Sequence, residues 1–137
     1  MNWKLIFTLS LFGVAMGVAS LFGLTGKIEP LLWLGIFILY AVMIAKKARS
    51  KHFLHGFLVS VLNGIWVGII HSAFSSTLFL NNPEMLEGFQ KLPQSFSPQA
   101  MMLVMGPLIG AATGIVAGLF ALIAVKVMAK KMTTDTH

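Results

Sequence analysis

Four long stretches of this chain carry almost no charge, and that constrains it more than any other feature. They run from Leu5 to Leu24, from Pro30 to Ala45, from Phe53 to Leu80 and from Pro98 to Val127. A helix needs about 20 predominantly apolar residues to cross a bilayer. The first run satisfies that, and the third and fourth exceed it. The second is short and gains length from Ile28 and from the stems of Lys46 and Lys47, whose heads reach back to the interface. Only 10% of the side chains are charged, against roughly a quarter in a soluble domain. So few charges cannot clothe a water-soluble surface. The fold expected is all-α: an integral membrane four-helix bundle in a single domain, residues 1–137. The first run has the length of a span rather than of a signal-peptide core, and it is read as retained.

Punctuation supports these limits. Glu29-Pro30 and Ser97-Pro98 each place a proline at a helix start, where its missing N–H costs nothing. Ser97 is a candidate N-cap. Pro107 falls inside the fourth span and is expected to kink it. The third run, about 42 Å long as one helix, is expected to tilt or to project beyond the bilayer. Between spans 3 and 4, Asn82-Pro83-Glu84 reads as a cap, a first-turn proline and an acid near the positive helix end. Met85, Leu86, Phe89 and Leu92 come next on one face, so a short amphipathic helix is expected in this outer loop.

Eight of the ten Lys and Arg residues fall on one side of such a bundle. They are Lys4, Lys46, Lys47, Arg49, Lys51, Lys126, Lys130 and Lys131; Lys27 and Lys91 fall on the other. By the positive-inside rule both termini are cytoplasmic, as in a multi-pass protein of a bacterial inner membrane. Lys46, Lys47, Arg49 and Lys51 form a juxtamembrane cluster that attracts anionic lipid headgroups. The net charge of +6 comes from residues that flank spans and build no basic face, so no nucleic-acid partner is expected.

Small residues are spaced with regularity. Gly106, Gly110, Gly114 and Gly118 recur at every fourth position, a glycine-zipper spacing that lets another backbone approach closely. Ser10, Gly13, Gly17 and Ser20 form a seam on the first span, and Ser60, Gly64, Gly68, His71 and Ser75 share a face of the third. These faces serve either packing within the chain or assembly into a homo-oligomer or larger membrane complex. The second span has few small residues and is expected to face lipid most.

Chemistry-bearing residues are sparse. There is no cysteine, which excludes disulfides and thiolate-ligated metals. No acidic or basic residue lies in the middle of a span, although ion-coupled transport usually keeps one at depth. His71 lies well within a span, with Asn63 about two turns earlier and Ser75 one turn later. These three form a candidate polar intramembrane site, or else hydrogen-bonded contacts between helices. His52 and His55 read as interface residues and His137 as a solvated terminus. No catalytic group, cofactor or metal site is expected.

The stretches "AKKARSKHFLHGFLVSVLNGIWVGI", "LNNPEMLEGF" and "GPLIGAATGIVAGLFALI" resemble a bacterial family of four-span membrane proteins, the domain of unknown function 4199 group. The resemblance covers about 90 residues. It implies the same four-span layout in a bacterial inner membrane, and it brings no functional residues. Two functions stand as expectations. The first is a non-enzymatic, small structural or accessory subunit that assembles through the glycine-rich faces. The alternative is a small transporter or channel using His71, Asn63 and the outer loop.

Overall fold

A computed structural model describes residues 1–24, 26–93, 95 and 97–135, with backbone alone at 26 and 133–135. The chain is all-helical: α1 (Trp3–Leu21), a 3₁₀ turn (Gly26–Ile28), α2 (Glu29–Lys47), α3 (His52–Ala73), α4 (Ser75–Asn81), α5 (Pro83–Gln90) and α6 (Pro98–Asp135). Four of these helices, α1, α2, α3 and α6, are long and apolar enough to cross a membrane.

Local chemistry explains the ends. Asn2 caps α1 by accepting the Leu5 N–H at 3.1 Å. Gly23, at φ +68, closes α1 with two backbone bonds, Gly23 N–H to Ser20 O and Leu24 N–H to Ala19 O, the pairing of a Schellman motif. Ser97 caps α6 as expected, accepting the Ala100 N–H at 3.2 Å. Pro107 lies inside α6 and the helix continues through it to Asp135. At 38 residues, α6 is about 57 Å long and extends past the expected limit at Val127. The amphipathic helix foreseen after Asn82 is α5, which has no buried residue and leans Phe89 edge-on against Phe79 at 5.6 Å.

The third run departs from expectation. It is not one tilted helix over 53–80: α3 stops at Ala73, Phe74 adopts φ −116 and ψ 37, and α4 begins at Ser75. The 22 residues of α3 already span about 33 Å, roughly the hydrocarbon thickness. Phe74 closes α3 with its N–H on Ile70 O, and its own carbonyl accepts the Leu78 N–H that opens α4. The turn buries Leu78 completely beside Leu21 and Met102.

α3 is the central helix. It packs along α6 on one flank and α1 on the other, and α2 closes the bundle mainly against α6. The main core lies toward the end that holds the N-terminus, the α2–α3 loop and the distal half of α6. Tyr40 and Ile44 of α2 are fully buried there with Ile6, Val59 and Ala121. This is the basic end of the molecule. α2 is the least buried of the four long helices.

Candidate functional site

The association faces foreseen in the sequence meet each other inside the chain. A methyl group placed on Gly110 would lie 2.7 Å from Ser60 O, and one on Gly118 would lie 2.9 Å from Phe53 O. On Gly114 it would lie 3.0 Å from Phe57 O, and on Gly106 it would press on Gly64 O and on Gly68 Cα. Seen from α3, Gly64 meets the Gly106 carbonyl and Gly68 lies against Met102 O. Gly13 and Gly17 of α1 pack on the opposite flank of α3, at Asn63 and at Val67 with Ile70. The glycine ladder of α6 is therefore filled by α3 along its length. Gly56, which lies against Ala117 O and Gly118 Cα, completes the seam, and its regular fourth-residue relation to Ser60 and Gly64 was the available signal for it.

Between α2 and the α3–α6 pair, at the end opposite the basic loops, the bundle leaves a cleft of about 350 Å³. Glu29, Trp33 and Phe37 form the α2 wall. Asn63, Gly64, Val67 and His71 of α3 and Gly106, Ile109 and Gly110 of α6 form the other wall, with Met85 of α5 at the mouth. The close α3–α6 approach allowed by glycine makes that wall smooth and thin.

Its polar groups lie at two levels. At the mouth, Trp33 Nε1–H donates to Glu29 Oε1 at 3.3 Å. His71 Nε2 and Ser20 Oγ are 2.6 Å apart, a hydrogen bond that ties α3 to α1. At the base, Ser60 and Thr113 hydroxyls pair at 2.8 Å. Asn63 Nδ2 donates to Tyr40 Oη at 2.8 Å, while Asn63 Oδ1 is buried with no hydrogen-bond partner among the described residues. Below that bond lies the packed core of Tyr40, Ile44 and Val59, so the cleft ends blind.

Of the polar residues singled out from sequence, the structure brings His71 and Asn63 to one cleft and leaves Ser75 out. Ser75 opens α4, where the break at Phe74 carries it off the α3 face, and it accepts from Gln99 Nε2 at 3.0 Å. Glu29, Trp33, Phe37 and Thr113 were missed. Glu29 and Trp33 share a helix face by their four-residue spacing, but nothing in the sequence says that this face meets α3. His55 lies at the basic end of the bundle and is buried there at 2% exposure. Its Nδ1–H donates to Lys51 O at 2.8 Å and its Nε2 accepts the Asn2 N–H at 3.1 Å. His137 lies outside the described residues. Lys46, Lys47, Arg49 and Lys51 are all exposed at the basic end. Lys47, Arg49 and Ser50 border a polar hollow there, beside the N-terminal segment.

No family model, no curated protein and no solved structure matches this chain.

Proposed function

We propose that this chain is a small, non-enzymatic membrane protein that takes a ligand into the cleft between α2 and the α3–α6 pair, as the binding step of a small transporter. The observation that carries this reading is the clustering of polar groups (Glu29, His71, Asn63, Ser60 and Thr113) around one cleft in an otherwise apolar bundle. Polar side chains at membrane depth are costly, and they gather where a cavity or a partner uses them. The blind base favours a carrier over an open channel. The accessory-subunit reading rests on the α6 glycine face, and that face is filled by α3. Assembly with other copies or partners would have to use another surface.

We further place the chain in a bacterial inner membrane with both termini cytoplasmic, on the concentration of cationic residues at one end. The cleft then opens toward the outer leaflet. The resemblance to the domain of unknown function 4199 group agrees with this setting and names no activity.

The absence of native cysteine gives a clean test. Val67→Cys lies in the cleft, and Ile123→Cys lies outside it, on an exposed apolar surface where α6 borders α2. In intact vesicles a membrane-impermeant thiol reagent should label Val67→Cys from the cleft side and leave Ile123→Cys unlabelled. Equal labelling of the two positions, or none at Val67→Cys, would overturn the proposal.

A further inference from the structure

We infer that the ligand of this cleft is an amphiphile with a single cationic ammonium head, an inference that rests on the cleft being a binding site at all. The mouth offers the two features that recognise an organic cation. One is the Glu29 carboxylate, which accepts from Trp33 Nε1–H at 3.3 Å and is held in place by that bond. The other is an aromatic surface: Trp33 itself, joined one turn deeper by Phe37 with ring centroids 5.9 Å apart. Cations are attracted to aromatic faces by the ring quadrupole, most strongly where water is excluded.

Below the mouth the lining turns apolar. Phe37, Val67 and Ile109 flank a channel that runs from Glu29 to Phe37, about 12 Å by helical rise. A short alkyl chain suits these walls, and a fully polar solute would lose its hydration there without replacement. The polar atoms at the base are largely committed to one another, through Ser60 with Thr113 and Asn63 with Tyr40.

Charge around the mouth points the same way. This end of the molecule carries three carboxylates, Glu29, Glu84 and Glu87, against two ammonium groups, Lys27 and Lys91. The other eight cationic residues sit at the far end of the bundle. The field at the mouth therefore favours a cation, in a chain whose net charge is positive.

The test uses Val67→Cys protein in phosphatidylcholine nanodiscs, with three probes that share one tail: decyltrimethylammonium, decanol and decanoate. Each is titrated for protection of the thiol from labelling. The expected result is protection by decyltrimethylammonium at about tenfold lower concentration than decanol, a difference of about 1.4 kcal/mol, with decanoate no better than decanol. Glu29→Gln keeps an acceptor for Trp33 and removes the charge; it should bring the cation and the alcohol to within about twofold. Its fold is checked by an unchanged labelling rate without probe. If Glu29→Gln does not fold, Trp33→Leu is read instead and should cut the preference about threefold. Equal protection by all three probes, or a preference that survives these variants, would overturn the cationic head and leave the cleft standing. Failure of Val67→Cys to label without any probe would overturn the cleft itself.

Discussion

Asn63 Nδ2 and Tyr40 Oη join α3 to α2 through a 2.8 Å bond at the floor of the cleft, and the side-chain oxygen of Asn63 rests against Gly13 of α1 with no hydrogen-bond partner among the described residues. One side chain thus touches both neighbours of the bundle. Tyr40→Phe should leave the Asn63 amide with no partner at either end. The expected loss is about 1–2 kcal/mol, the range for interhelical hydrogen bonds in membranes. A double-mutant cycle with Asn63→Ala, read by unfolding in mixed detergent, should show coupling of about 0.6–1.7 kcal/mol. Strict additivity would mean that the bond contributes nothing.

The two glycines of the α1 seam should respond differently to alanine. At Gly13 the added methyl meets the Asn63 Cα at 2.7 Å, which is backbone and cannot step aside. At Gly17 its nearest neighbour is Ile70 Cδ1 at 3.0 Å, the free end of a flexible side chain. Gly13→Ala should cost about 1–3 kcal/mol, as overpacking does, and Gly17→Ala less than about 1 kcal/mol. Melting temperatures in detergent rank them, and the reverse order would contradict this packing.

On the α3–α6 seam, Gly64→Ala should separate the helices, because its methyl runs into the Gly106 carbonyl and lies 3.0 Å from Gly110 Cα. Among the described residues, Gly35 of α2 has nothing within 4 Å of an added methyl and serves as the control. Gly35→Ala should be neutral or stabilising by up to about 1 kcal/mol through helix propensity. A Gly64→Ala protein as stable as Gly35→Ala would refute the close approach.

Asn81 and Asn82 each donate to a carbonyl in the last turn of α1: Asn81 to Leu21 O at 3.0 Å and Asn82 to Ser20 O at 2.9 Å. Asn81 serves a carbonyl at the C-terminal end of the helix ladder, and Asn82 adds a second bond to Ser20 O, which already accepts the Gly23 N–H. The Asn81→Ala/Asn82→Ala protein should exchange amide hydrogens faster at Phe22, Gly23 and Leu24 while α3 stays protected. Uniform exchange across both helices would show that these bonds do not hold the end of α1.

Lys51 precedes α3 in the left-handed region at φ 55, a conformation that costs a residue with a side chain about 1–2 kcal/mol. Lys51→Gly should stabilise the chain by about 1 kcal/mol and Lys51→Ala should not. Chemical unfolding in detergent reads both. Equal effects would place the cost in the lost charge rather than in the backbone.

Much of this molecule was legible in its residue order. The number of spans comes from apolar runs of about 20 residues, since each transmembrane helix must satisfy its own backbone in hydrocarbon. The start of α6 at Ser97 and the separate α5 after Asn82-Pro83 come from capping and proline chemistry, which act within a few residues. Small residues on α1, α3 and α6 marked faces where backbones come close. All of these are local properties, and periodicity along one helix is enough to read them.

Which faces meet was decided in three dimensions. The ladder Gly106 to Gly118 announces an approaching backbone without naming it, because a second copy and α3 ask the same of it. Ser75 shares a face with His71 only if the third run is one helix; the turn at Phe74 sends it to Gln99 instead. Glu29 reads as the flank of a span until α2, bonded to α3 through Tyr40 and packed along α6, sets it in the lining of a cleft that His71 also borders. Hydropathy and capping are sums over neighbours in the chain, whereas a cleft is a relation between helices, and only their packing creates it.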